Sequence, residues 1–379
     1  MMFASNANAS RFPASGSAQS ILTSASRSSA PVVELDAMKA ILANEPLPVS
    51  DPRSLVDAEV PDSAAPQGHD ILVRIEAISV NPVDTKTRML IHPGAAGAKP
   101  GPRILGWDAA GVVQAVGDQV TLFKPGDAVY YAGSNQRPGS NAELHLVDER
   151  IVAKKPATLD FAQAAAMPLT TITAYEGIVD RMGVDPDGKS KGATLLVIAG
   201  AGGVGSMAIQ IGRKLGLEVI ATASRPESIK WCRDHGARHV INHHQPLKDG
   251  LKAIGVGEVD YVLICSDIDL YWTQLTDVVK PQGSVCTIVR NEKPADIMAL
   301  QRKALRFAWE GMFVRSSFQT ADMIEQHRLL ARVAGWIDAG EVKSTLTEKL
   351  SPITAANLRA AHARLESKGM IGKLVLSGW

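Results

Sequence analysis

The stretch LLVIAGAGGVG (195–205) decides the fold. An apolar run the length of a strand leads into Gly200, Gly202 and Gly205, which together spell G-x-G-x-x-G. Each glycine has its own task. Gly200 permits a tight turn, Gly202 lets a pyrophosphate approach the backbone, and Gly205 lets helix and strand pack closely. The N–H groups at Gly203 and Val204, at the start of the helix expected over 203–215, would face the anion with the helix dipole behind them. A glycine triplet alone is a weak signal. Here it lies between one strand and a helix that leads to a second strand at 218–223, which is the context a dinucleotide site requires.

The tip of that second strand bears on the choice of cofactor. NAD sites usually place Asp or Glu there, to bind the ribose 2′-hydroxyl. This chain has Ser224-Arg225, with Lys230 one turn into the next helix. A hydroxyl and two cations suit a 2′-phosphate, so the sequence predicts NADPH.

Outward from this motif, strand and helix signals alternate. Helices are expected at 203–215 and 227–235, with strands at 194–199, 218–223, 239–242, 261–265 and 284–289. That pattern argues for a parallel sheet covered on both faces. Residues 160–163 (DFAQ) have the form of a capping box opening a helix that Pro168 would end. A second helix is expected over 169–180, a long one over 319–339 and a last short strand at 374–376. From 38 to about 160 the texture is β. DILVRIEAISV (70–80) alternates polar and apolar, and Gly117-Asp118 and Pro125-Gly126-Asp127 mark turns between short strands.

Composition narrows the function classes. Forty basic residues meet 39 acidic ones, and a net charge of +1 gives no reason to expect nucleic acid or a membrane surface as partner. No apolar run approaches the roughly 20 residues needed to span a bilayer. Three cysteines without a C-x-x-C, Cys232, Cys265 and Cys286, fit free thiols in a reducing, cytoplasmic compartment. Residues 1–36 are rich in Ser and Ala and have no acid before Glu34. They are expected to form a flexible tail or an over-extended start ahead of Met38, although low acid content with Arg and Ser also resembles a transit peptide.

Several separate motifs then carry a family resemblance across residues 38–379. Asn81-Pro-Val-Asp84, Gly106-Trp-Asp-Ala-Ala-Gly111, Pro125-Gly-Asp127, the glycine turn at 199–205 and Gly372-Lys373-Leu-Val-Leu376 fall in an order that resembles the medium-chain dehydrogenase/reductase superfamily. The closest match is its quinone-oxidoreductase-like branch, whose members are often labelled zinc-type alcohol dehydrogenase-like. The resemblance implies an α/β fold, with a doubly wound Rossmann sheet inserted in a GroES-like, β-rich catalytic domain. The expected division is a tail at 1–37, the catalytic domain at 38–167, the NADPH-binding domain at 168–318 and a return to the catalytic domain at 319–379. It also implies a cofactor cleft between the domains and a homodimer.

Zinc alcohol dehydrogenases that resemble this chain carry Cys near positions 81–83, Gly-His-Glu at 106–108 and a third ligand near 169–171. Here none of those ligand positions holds Cys or His, and the indole of Trp107 can only donate. The loop at 132–143 lacks the four cysteines of a structural zinc lobe. Zinc is therefore predicted absent. His235, His239, His243 and His244 are a rival cluster, but Gly236 and the strand around Val240 should keep their rings apart.

Without a metal, hydride transfer from NADPH to a quinone or an α,β-unsaturated carbonyl must rely on positioning and hydrogen-bond donors. The candidates are Asn81, Lys86 and Tyr131. Relatives often carry Tyr shortly after Asn-Pro-x-Asp, where this chain has Lys86. Asp84 reads as a helix cap. Thr170, Thr171 and Thr173 could touch the nicotinamide ribose, and Lys373 a phosphate. Trp309, Phe313, Arg315 and Phe318 suit a pocket wall, a dimer contact or plain core. A zinc-type alcohol dehydrogenase and a non-catalytic NADPH-binding sensor remain the alternative readings.

Overall fold

The computed structural model describes residues 37–90 and 101–379. The tail expected at 1–37 therefore lies outside the described residues apart from Ala37, and so does most of the Gly/Pro-rich loop at 90–102.

The glycine motif sits in a six-stranded, wholly parallel sheet. Its order is His239–Ile241, Glu218–Thr222, Thr194–Ile198, Val259–Ile264, Val279–Thr287, Arg306–Trp309. Numbered along the chain, this is 3-2-1-4-5-6, the doubly wound order whose direction reverses beside the first strand. Thr194–Ile198 shows why both faces must be covered. Leu195 and Val197 enter one apolar core, whereas Leu196 and Ile198 enter a second core on the opposite face. Successive side chains of a strand point to opposite faces, so a strand apolar at every position needs helices on both sides.

A second, mostly antiparallel sheet of seven strands runs Leu346–Leu350, Lys373–Ser377, Asp70–Ser79, Asp108–Val116, Ala128–Ala132, Val152–Lys154, with Leu144–Asp148 also paired to Asp70–Ser79. The chain's last strand thus pairs with one of its first. A small sheet of Val56–Pro61, Ala37–Ala43 and Arg103–Ile104 lies apart from it. Among the described residues, no helix is long and apolar enough to cross a membrane.

Several boundaries differ from the sequence reading. The capping box forms, with Asp160 accepting from Gln163 N at 2.7 Å and Gln163 accepting from Asp160 N at 3.0 Å. The helix it opens is only Phe161–Ala165. Pro168 starts the next helix, Pro168–Tyr175, rather than ending the first one. At the first helical position a proline forfeits no hydrogen bond. That helix continues as a π-helical segment, Glu176–Arg181. The long helix begins at Glu325 and not near 319, because Gln319 adopts a left-handed conformation (φ 46°) after the short helix Val314–Phe318.

Candidate active site

The glycine turn and the start of the Asn81 helix face each other across a cleft of about 590 Å³. On the nucleotide side the wall is backbone. Ala199 holds a left-handed φ of 62°, and its N–H donates to Thr222 Oγ1 at 2.9 Å. Gly200 is crowded: a Cβ there would sit 2.7 Å from the Ala221 methyl and 3.0 Å from Cys232 Sγ. A Cβ at Gly205 would overlap the Ala199 carbonyl oxygen. At Gly202 the nearest atom to an added Cβ is the Ala199 oxygen, at 3.5 Å, so space lies open there. Gly202 caps the helix Gly203–Lys214 without a side chain, and Gly202, Gly203, Val204 and Gly205 all line the cleft. This open backbone at a helix start suits the diphosphate of a dinucleotide.

The opposite wall is built from buried side chains. Lys373 Nζ donates to the Val80 carbonyl at 2.8 Å, Asn81 Oδ1 at 2.5 Å and Asp108 Oδ2 at 3.0 Å. Asn81 Nδ2 donates to the same Asp108 oxygen at 2.8 Å. The other Asp108 oxygen accepts the Leu169 N–H at 2.7 Å, at the start of the helix Pro168–Tyr175. Asp84 accepts the Asn81 N–H at 2.5 Å and so caps the helix Pro82–Met89. Burial pushes the Asp84 carboxyl up to about 7.

Zinc does not fit these residues. Both Asp108 oxygens are already engaged, the Lys373 ammonium stands against Asn81 and Asp108, and Trp107, at the place of the histidine in the Gly-His-Glu of zinc enzymes resembling this chain, can only donate. No group of three or more His, Cys, Asp or Glu among the described residues is placed to hold a metal. The rings of His243 and His244 do pack together, with centroids 4.4 Å apart, against the expectation that the cluster stays apart, but they form no group of three ligands among the described residues. His235 stacks on Trp231 with ring centroids 4.0 Å apart, while His243 contacts Ser224 Oγ at 3.4 Å.

The structure separates the candidate residues. Lys86, Thr170, Thr173 and Phe313 line the cleft, and Lys86 makes no hydrogen bond or ion pair among the described residues. Asn81 also lines it, but its amide is occupied by Lys373 and Asp108, which corrects its reading as a donor to substrate. Tyr131 is a second correction. It is fully buried outside the cleft, its hydroxyl is 3.0 Å from His145 Nδ1, and burial raises its pKa well above the usual value. Burial pushes that histidine down to about 4. Thr171 is buried behind the cleft lining and Lys230 pairs with Asp234 at 2.5 Å on the surface.

Arg225 reaches the Gly369 carbonyl at 2.5 Å and Glu227 at 3.2 Å. Lys373 also lines the cleft, but its ammonium donors are taken by Val80, Asn81 and Asp108, so the reading of it as a phosphate ligand is corrected as well. Phe313 packs edge-on to Trp107, with centroids 5.5 Å apart. Arg315 is a buried hub, bonded to Glu176 at 2.8 Å and Asp180 at 2.9 Å. Trp309 and Phe318 are exposed.

Two residues in or beneath this cleft escaped the sequence reading. Lys368 lines it on the loop before the last strand. Glu310 also contributes to the lining, and burial, with Glu176 close by, pushes its carboxyl up to about 9. Neither carries a local motif. The one available hint was an acid between Trp309 and Gly311 in an otherwise apolar return segment.

Known proteins share this arrangement. Residues 67–157 match the family model of an alcohol dehydrogenase GroES-like domain, and residues 235–376 match that of a zinc-binding dehydrogenase. A zinc-type alcohol dehydrogenase-like protein of Staphylococcus aureus (strain MSSA476) is 44% identical over 313 residues, 82% of this chain and 92% of its own length. The crystal structure of a provisionally assigned zinc-dependent alcohol dehydrogenase protein from Rhizobium etli CFN 42 is 48% identical. It covers 91% of this chain and 99% of that one, with a TM-score of 0.86. Escherichia coli quinone oxidoreductase complexed with NADPH is 25% identical and covers 89% of this chain and 99% of that one, with a TM-score of 0.72. A GroES-like sheet joined to a Rossmann sheet, with a relative at 44% identity across most of the length, makes this chain a member of the medium-chain dehydrogenase/reductase superfamily of oxidoreductases, on its quinone-oxidoreductase-like branch.

Proposed function

We propose that the chain reduces a quinone or an α,β-unsaturated carbonyl with NADPH and without catalytic zinc. One observation carries this reading: the open glycine turn lines the same cleft as the ammonium of Lys86, which bonds no other group among the described residues. When bound, NADPH supplies the hydride. The backbone of Gly202–Gly205 would hold its diphosphate, and Thr170 and Thr173 stand between that turn and the Asn81 helix. Lys86 stands on the Asn81 side of the cleft, where its ammonium can stabilise negative charge as it develops on the acceptor oxygen, which is where a fixed charge accelerates such a reaction; Lys368 is a second ammonium in the same lining. Phe313 and Met312 give the acceptor an apolar wall.

The cofactor choice has its own support. No carboxylate stands at the tip of the strand Glu218–Thr222, where Ser224-Arg225 follows it. The NADPH-bound Escherichia coli relative agrees with that choice. Against zinc stands the Lys373–Asp108 ion pair at the positions the metal would need. A homodimer suits the exposed edge strand Arg306–Trp309, where Trp309 is 56% exposed. Three free thiols suit a cytoplasmic setting.

The test follows NADPH absorbance with a panel of quinones and enals, with and without chelator. We expect turnover that chelator leaves intact. Activity abolished by chelator would favour a zinc alcohol dehydrogenase, and tight NADPH binding without turnover would favour a sensor. Lys86→Met should lower kcat/KM by about 100-fold, the scale of one lost oxyanion contact, with NADPH affinity unchanged. Full activity in that variant would remove Lys86 from the chemistry.

A further inference from the structure

The ion pair beneath the cleft has no part in the chemistry just described, yet it is the most heavily bonded charged group there. Lys373 is 3% exposed and Asp108 is fully buried. An ammonium has three N–H donors, and here three acceptors take them: Val80 O, Asn81 Oδ1 and Asp108 Oδ2. Turning one donor toward a cofactor phosphate would break a buried bond and loosen the charge balance of Asp108, which is costly away from water. The side chain is therefore set for an internal purpose.

Its partners show what that purpose is. Asn81 precedes the helix Pro82–Met89, and its side chain is held at one end by Lys373 and at the other by Asp108. Lys86 stands on that helix. Asp108 in turn fixes Leu169 N at the start of Pro168–Tyr175, whose Thr170 and Thr173 line the cleft. The aliphatic stem of Lys373 reaches the other wall. A Cβ added at Gly203 would meet Lys373 Cδ and the Thr170 methyl, each at 3.0 Å. The neighbouring backbone bonds both ways as well, Gly372 N to Ala201 O at 2.9 Å and Lys373 N to Thr345 O at 2.8 Å.

We infer that Lys373 is a positioning residue: its buried ammonium ties Val80, Asn81 and Asp108 together, Asp108 carries the tie on to Leu169, and through Asn81 it sets where Lys86 stands in the cleft. This rests on the proposed function for its effect on turnover, but the tether itself does not depend on any acceptor. Lys373 then governs the rate at saturating cofactor and has little influence on how tightly NADPH binds. A phosphate ligand would do the reverse.

The test compares the full chain with Lys373→Met and with the double variant Lys373→Met/Asp108→Asn. The single variant leaves Asp108 buried without a counter-charge, which puts folding at risk; the double variant removes both charges and keeps the interior neutral. Hydrogen exchange reads the tether without any turnover. In the double variant we expect at least tenfold faster exchange across Pro82–Met89 and unchanged exchange across Gly203–Lys214. Unchanged exchange in both helices would overturn the inference. NADPH affinity, read by fluorescence titration, should stay within threefold of the parent, and a loss above thirtyfold would make Lys373 a phosphate ligand after all. With 1,4-benzoquinone at saturating NADPH, kcat should fall at least tenfold. A double variant with full kcat would reduce the ammonium to a counter-charge for Asp108. If the parent chain turns over no quinone or enal, the proposed function fails, and the exchange measurement still decides the tether.

Discussion

The two walls of the cleft are made in opposite ways. The nucleotide wall is seven consecutive residues, 199–205, and works through backbone and the absence of side chains. The facing wall is gathered from residues 80–86, 108, 169–173 and 373, and is held by buried charge. A wall of the first kind fails when an atom is added, and one of the second kind fails when a partner is removed. That difference orders the variants that would test it.

The largest effect is expected where an added atom has nowhere to go. In Gly205→Ala the new methyl would overlap the Ala199 carbonyl and lie 2.8 Å from Gly200 Cα. Overpacking of this kind costs about 1–3 kcal/mol of stability, so the melting temperature should fall, and the turn displaced to relieve the overlap should bind NADPH more weakly. Gly202→Ala sharpens the comparison, because nothing in the protein crowds its methyl. That variant should melt like the parent yet bind NADPH more weakly, since only the ligand meets the new atom. Ordinary NADPH affinity in both variants, measured by fluorescence titration, would leave the glycine turn without a ligand.

Arg225 is not part of the cleft lining, and its effect should be smaller. Its guanidinium bonds the Gly369 carbonyl on the loop that leads to Lys373, so replacing it disturbs more than a phosphate contact. Arg225→Asp should weaken NADH slightly, through that loop, and NADPH about 10-fold to 30-fold more, through like-charge repulsion at the 2′-phosphate. The ratio of the two dissociation constants isolates the phosphate. Equal losses would mean that Arg225 is only a tether.

The same contrast explains which parts were legible in the sequence. The crowding at Gly200 and Gly205 and the space at Gly202 are legible because turn and packing are local demands within one short segment. The alternating run at 70–80 and the parallel strands are legible for the same reason: each pattern has its period inside the element. Asn81 and Lys373 were recognised as noteworthy residues but given the wrong tasks. Their partners lie 27 and 265 residues away at Asp108, and no local pattern announces such a pairing. Tyr131 failed as a proton donor for a related reason. Alternation along Ala128–Ala132 says that neighbouring side chains face opposite ways, but both Tyr130 and Tyr131 found a core to enter, and neither faces the cleft. Pro168 was misplaced because a proline that ends one helix and a proline that begins the next look alike in sequence.

The smallest effect tests whether the neutrality of the nucleotide side extends beneath it. Glu310 begins the segment Glu310–Phe313 that floors the cleft, and its side chain is buried against Glu176 and Arg181. Four carboxyls gather here, Glu176, Asp180, Glu310 and Asp322, with Cys286 beside them, against the two guanidinia of Arg181 and Arg315. Arg181 Nε lies 2.9 Å from Glu310 Oε2, which offsets only part of the cost of burying this carboxyl beside Glu176. Burial and the Glu176 charge raise this carboxyl from the usual 4.5 to about 9, so it keeps its proton at neutral pH. A folded pKa raised above the unfolded one contributes stability that is complete below about 4.5 and is lost as pH rises toward 9. Glu310→Gln has no proton to lose. Its melting temperature should therefore gain a few degrees on the parent between pH 5 and pH 9, as followed by circular dichroism. Parallel melting curves across that range would mean that Glu310 is already ionised, and that buried charge stands behind both walls.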